Sequence, residues 1–243
     1  MSEHTPPDRL FAESPVHADF RFTDQVAEVF DDMLHRSVPN YQQVIGMTAS
    51  LLGDLLEKGV VYDLGCSTGN TLLALARKLS GKQLSFVGID NSPAMIEKAN
   101  RKLATLADPG EVRFILGDIT SADLAEAAAV ILNYTLQFIR PLERPGFLSR
   151  IFEALPPGGV LIMSEKIISK DPVLNRRFID AHHQFKREQG YSELEIARKR
   201  EALEHVLIPF SIDENQQLLR QAGFRSVETF HQWFNFASWV AVK

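Results

Sequence analysis

The sequence predicts an α/β fold: a doubly wound, mostly parallel seven-stranded sheet with a C-terminal antiparallel hairpin and a helical insert. Five short apolar runs, at 60–64, 84–89, 112–116, 128–132 and 160–163, alternate with helical patterns. Runs apolar on both faces suit a parallel sheet covered by helices on both sides. Two further β-rich runs, 224–230 and 234–242 around Trp233, lie too close for a helical crossover and must pair as a hairpin. Between the fifth run and the hairpin, a charge-rich helical stretch exceeds an ordinary connection.

Composition narrows the function classes. At 243 residues, 45% hydrophobic and 23% charged, the chain supports one large α/β domain. Lys plus Arg number 26 against 31 Asp plus Glu, a net charge of −5, which argues against direct nucleic-acid binding and for a small-molecule substrate. Cys66 is the only cysteine, so neither a disulfide framework nor a zinc cluster is available, and a reducing cytoplasm is the expected location. No stretch approaches the roughly 18 apolar residues of a membrane span.

Residues 1–22, with Pro6, Pro7 and Pro15, read as a flexible arm, and 23–243 as a single domain. Val26, Val29, Phe30, Met33 and Leu34 mark an amphipathic helix over 24–36. A second helix follows Pro39 through Val44, Ile45, Leu51, Leu52, Leu55 and Leu56, with Gly59 as its expected stop. Ser92 followed by Pro93 predicts a helix start. The helical cap or lid is expected at about 166–210. Its adjacent His182 and His183 diverge by about 100° on a helix, so no metal site is assigned.

Chemistry gathers at the carboxyl ends of the strands. Asp63-Leu64-Gly65-Cys66-Ser67-Thr68-Gly69 leaves the first strand and opens a helix, where small residues let a ligand approach the backbone. Asp90, 25 residues after Gly65 at the end of the second strand, can accept ribose hydroxyls, as NAD enzymes also arrange. Gly117-Asp118-Ile119 ends the third strand, Asn133 ends the fourth, and Leu155-Pro156-Pro157-Gly158-Gly159 precedes the fifth. Together with the hairpin, these resemble the class I S-adenosylmethionine (SAM)-dependent methyltransferase fold. Ser67 stands where many of its members carry a glycine.

A narrower resemblance covers nearly the whole chain and is weakest over the arm. Arg36-Ser37-Val38-Pro39 with Tyr41, Val61-Tyr62-Asp63-Leu64-Gly65-Cys66-Ser67, Ile89-Asp90-Asn91-Ser92-Pro93-Ala94-Met95-Ile96 and Asn133 with Thr135-Leu136-Gln137-Phe138 resemble the carboxy-S-adenosyl-L-methionine (carboxy-SAM) synthases. So do Ser164-Glu165-Lys166, Gly190-Tyr191-Ser192-Glu193-Leu194-Glu195-Ile196 and Lys199-Arg200. The resemblance implies a transferase that converts SAM and prephenate to carboxy-SAM and phenylpyruvate, the product being the carboxymethyl donor for wobble-uridine modification of transfer RNA. It implies a homodimer and a cofactor pocket of Tyr41, Gly65, Cys66, Ser67, Asp90, Asn91, Asp118, Ile119 and Asn133. Arg200 would bind the new carboxylate as the catalytic residue. The alternatives are a small-molecule methyltransferase and a non-catalytic SAM-binding subunit of a tRNA modification system.

Overall fold

The computed structural model describes residues 6–13, 20–108 and 110–243. The first half runs α1 (Leu10–Glu13), α2 (Asp24–Ser37), α3 (Tyr41–Leu55), β1 (Lys58–Leu64), α4 (Asn70–Lys78), β2 (Gln83–Asp90), α5 (Pro93–Ala104), β3 (Val112–Leu116) and β4 (Ala127–Asn133). A 3₁₀ turn (Leu136–Phe138), α6 (Arg144–Ala154), β5 (Val160–Lys166), α7 (Pro172–Glu188), α8 (Glu193–Leu203), α9 (Ile212–Ala222), β6 (Ser226–Trp233) and β7 (Phe236–Val242) complete it. The strands form one seven-stranded sheet in the order β3-β2-β1-β4-β5-β7-β6, with β7 antiparallel to both β5 and β6. Strand order reverses between β1 and β4, which opens a crevice at the carboxyl ends of these strands.

Alternation along the central strands builds two apolar layers. Val130, Leu132, Leu161, Met163 and Trp239 pack with α6 and α9 on one face, while Ile131, Ile162, Val61 and Phe86 pack with α3 and α4 on the other. The C-terminal hairpin adds Trp239 to this core, which is how a long antiparallel strand becomes integral to a parallel sheet. Among the described residues no helix is long and apolar enough to cross a membrane.

Three details differ from the sequence reading. Gly59 does not stop a helix: α3 ends at Leu55, and Gly59 pairs with Leu84 inside β1 at φ +115°. A Cβ there would stand 2.7 Å from that of Ala128, so glycine serves the close approach of β1 to β4. β2, β4 and β5 run beyond their apolar stretches to Asp90, Asn133 and Lys166, because strand pairing continues after hydrophobicity stops. Helix α9, which the sequence reading does not include, starts at a Ser211–Glu214 capping box just after the charge-rich stretch.

The helices α7 and α8, separated at Gly190 (φ +86°), rise from a base where Ile167 bridges Phe210. The expected arm is described over 6–13 and 20–22, and these residues are tied down by contacts its prolines do not reveal; 1–5 and 14–19 lie outside the described residues. Asp8, only 1% exposed, accepts from the Tyr191 hydroxyl at 2.5 Å, while its own backbone N–H donates to Asp32 at 2.7 Å. Phe20 N donates to Ala202 O at 2.9 Å, and Phe11 joins a cluster with Phe30 and Met33.

Leu132 is fully buried at the centre of the sheet. Leu132→Ala is expected to cost about 2–5 kcal/mol through lost burial and a residual cavity, read as a lower urea midpoint at unchanged m-value.

Candidate functional site

A cavity of about 750 Å³ opens at the carboxyl edge of β1, β2 and β4 under the cover of α2, α7 and α8. That volume suits a nucleoside-sized ligand with a second small molecule beside it. Tyr41, Gly65, Cys66, Ser67, Asp90, Asn91, Asp118, Ile119 and Asn133 all line it. Arg200 does not: it lies exposed on α8, while its neighbour Lys199 points into the cavity.

The loop after β1 is held by backbone geometry and by one carboxylate. Gly65 adopts φ +79°, and a Cβ there would fall 2.6 Å from Thr135 Oγ1, so the loop can approach the β4 turn only with glycine. Ser67 takes φ +50°, left-handed backbone that glycine would adopt without strain. What holds it is its backbone N–H, which donates to Asp90 Oδ2 at 2.9 Å, while Ser92 N–H donates to Asp90 Oδ1 at 2.9 Å. Asp90 therefore joins the glycine loop to the start of α5. A carboxylate has about four acceptor sites, so these bonds leave it acceptor capacity toward the cavity. Burial raises its pKa, and the hydrogen bonds from Ser92, Ser67 and Asn91 oppose that shift.

Asp118 and Asn91 sit on the exposed rim of the cavity. Thr120 holds Asp118 through its backbone N–H and its hydroxyl, each at 2.8 Å, and these bonds lower the carboxyl pKa. Beside it Ile119 offers an apolar face suited to a base. Deeper in, Asn133 Nδ2 donates to Thr71 Oγ1 at 3.2 Å, and its Oδ1 is buried without a protein partner. Asp63 Oδ1 is likewise buried and unpartnered. Burial, then the neighbouring Asp90 charge, pushes the Asp63 carboxyl up to about 8. Two orphaned acceptors at the floor of one cavity are fitted to receive a ligand's ammonium group, which would relieve both.

The opposite wall is aromatic and cationic. Tyr134, at φ +60° with its N–H on Ser164 O at 2.6 Å, lies between the rings of Tyr41 and Phe236 at 6.3 and 6.1 Å. Burial pushes the phenol pKa of both Tyr41 and Tyr134 upward, so each remains protonated. Glu165, buried and raised to about 8, accepts from Leu136 N at 2.8 Å and Gln137 N at 2.9 Å, fixing the 3₁₀ turn against β5. Lys166, His182, Lys186 and Lys199 complete this wall. The spacing of the cofactor motifs does not select Asp63, Tyr134, His182 or Lys186; Lys166 stands in a segment that singled out a family without indicating a role.

Comparison with known proteins places this geometry. Residues 61–159 match a family described as methyltransferase domain. The chain is 53% identical to the carboxy-S-adenosyl-L-methionine synthase of Desulfotalea psychrophila over 97% of both chains. It is 46% identical to that of Wolinella succinogenes over 97% of this chain and 98% of that one. Human N-acetylserotonin methyltransferase in complex with SAM shares the fold at TM-score 0.60 and 19% identity, covering 90% of this chain and 55% of that one. Magnesium protoporphyrin IX methyltransferase from Synechocystis with bound SAM does so at TM-score 0.57 and 16% identity, covering 97% and 88%.

The raised Asp63 pKa has a measurable consequence. Between the unfolded carboxylate value of about 4 and the folded value of about 8, the native protein keeps a proton that the unfolded chain has released. The unfolding free energy contributed by this group therefore falls as pH rises through that window. Denaturant titrations of the unliganded wild type and Asp63→Asn from pH 4 to 8 should show the wild type losing stability relative to the variant. Parallel curves would contradict the burial of an unpaired carboxyl.

Proposed function

Because the chain belongs to the carboxy-S-adenosyl-L-methionine synthase family, an enzyme family with SAM as substrate and carboxy-SAM as product, we propose that prephenate is its carboxyl donor and phenylpyruvate the second product. The observation that carries this reading is the polarity of the cavity: acceptors at one end, cations at the other. Methyl transfer from a sulfonium needs no positive charge beside the methyl group. A carboxylated substrate and product do.

In this reading Asp90 binds the ribose, Asp118 and Ile119 flank the base with Asn91 at the rim, and the loop through Gly65, Cys66 and Ser67 passes under the nucleoside. Asp63 and Asn133 face the methionine ammonium, with Tyr41 packed beside them. The reaction balances without an external oxidant. The donor loses its ring carboxyl group as carbon dioxide and a hydroxide; the methyl group loses a proton and gains the carboxyl; proton and hydroxide leave as water. Aromatisation of the donor ring drives the change. The departing hydroxide takes the methyl proton, which fits the protonated state of Tyr41 and Tyr134. The chain contributes orientation, water exclusion and charge, which are the large terms when a reaction needs proximity and electrostatic stabilisation.

Arg200 binds the new carboxylate from a second copy of the chain, since its own cavity does not contain it. The apolar surface of Val173, Leu174 and Phe234 on α7 and the hairpin turn supports such a homodimer. The enzyme acts in the cytoplasm, and its product serves wobble-uridine modification of tRNA; the net charge of −5 leaves the tRNA to another protein.

Mass spectrometry after incubation with SAM, with and without prephenate, tests the donor. A SAM-derived species heavier by one carboxyl group, formed with phenylpyruvate only when prephenate is present, is expected; SAM binding without this product would remove the reading. For the dimer, Arg200→Ala and Asp90→Ala should each be inactive alone. Mixing the two and allowing subunit exchange should restore activity in heterodimers, and persistent inactivity would place Arg200 elsewhere.

A further inference from the structure

We propose that Lys166 and Lys186 form an anion subsite at the β5 end of the cavity that receives a carboxylate of the donor. Lys186 and His182 are separated by four residues on α7, so both present to the same side of the helix. That side faces the last residue of β5, Lys166, across the cavity. Topology thus converges the two lysine side chains on one space, with the His182 ring beside them.

Among the described residues, Asp8 is the carboxylate that acts on Lys186, and it forms no ion pair with either lysine. Lys186 is only 8% exposed, and among the described residues neither Lys166 Nζ nor Lys186 Nζ has a hydrogen bond or an ion pair. Their neighbour Lys199 is different: 5% exposed, it donates to Ser37 Oγ at 2.9 Å and lies 3.8 Å from Asp8 Oδ2. The Asp8 carboxylate is already shared by Lys199 and the Tyr191 hydroxyl. Lys166 and Lys186 repel one another and Lys199 repels Lys186, so burial and like charge both lower the Lys186 pKa. A buried Lys186 and a half-buried Lys166, with no ion pair among the described residues, are costly as structural elements and well suited to an incoming anion.

His182 is set by its own bond. Burial lowers its pKa well below the ordinary value, so the ring is neutral, and its Nε2 contacts Ser37 O at 2.9 Å. A neutral ring facing a carbonyl must donate from that nitrogen. The ring packs edge-on against Phe236 at 4.8 Å, and Phe236 meets Tyr134. An apolar ring slot therefore adjoins the two lysines, which matches a cyclic acid bearing more than one carboxylate.

This inference rests on prephenate being the donor, and the experiment separates the two. Steady-state kinetics of the full-length enzyme, Lys166→Met and Lys186→Met are compared with prephenate varied at saturating SAM, with SAM affinity measured by calorimetry. If the wild type does not turn over prephenate, the donor assignment fails. If it does, each variant should raise the KM for prephenate by about 10- to 100-fold while SAM affinity and kcat change little. An unchanged KM overturns the subsite. So does a loss confined to SAM affinity, which would put the lysines on the methionine carboxylate, or a loss confined to kcat, which would make them proton carriers. Should a variant fail to fold, reductive methylation of the wild type decides: prephenate should protect Lys166 and Lys186 and leave surface lysines modified, and equal labelling with and without prephenate would overturn the proposal.

Discussion

The Asp90 carboxylate receives Ser67 N–H on one oxygen and Ser92 N–H on the other, and the geometry of the cavity floor follows from that bridge. Without it the left-handed backbone at Ser67 loses its charge-assisted bond and keeps only the contact of Ser67 Oγ with Met95 Sδ at 3.3 Å as its link to α5. Two charge-assisted bonds to a largely buried carboxylate outweigh strain of the order of 1 kcal/mol. The glycine that many methyltransferases carry here is thus dispensable, because a hydrogen bond replaces its conformational freedom.

Desolvation carries the same logic through the cavity. Among the described residues, Asp63 and Asn133 keep unpaired oxygens at one end and the Lys166 and Lys186 side-chain nitrogens are unpaired at the other, with aromatic rings between them. Each unpaired group destabilises the empty protein and gains most from a ligand of opposite charge. Such a site discriminates by what it leaves unsatisfied: a ligand lacking an ammonium group or a carboxylate leaves polar groups of the cavity without a partner.

The parts of this arrangement that sequence makes legible are those set by local chain geometry. Gly65, Ser67 and Asp90 follow from a strand, a turn and a second strand, and Asp118 and Asn133 from the ends of two more, so the strand pattern locates them. Asp63 stands in the same loop but looks like any strand residue until its burial without a partner is seen. The composition around Lys186 and His182 fits a solvated helix face as readily as the wall of an anion site; only the docking of α7 over the cavity turns them inward. Gly59 misleads for a related reason, since a helix stop and a close strand crossing both require glycine. The placement of residues 6–13 depends on Asp8 meeting Tyr191 and Lys199, a long-range contact invisible to local pattern.

The central claim is that one sequestered cavity moves a carboxyl group from donor to SAM without release to solvent. Prephenate labelled with carbon-13 at its ring carboxyl, turned over in buffer containing unlabelled bicarbonate, tests this directly by isotope analysis of the carboxy-SAM formed. Complete transfer of the label is predicted. Label diluted by solvent bicarbonate, or absent from the product, would contradict it.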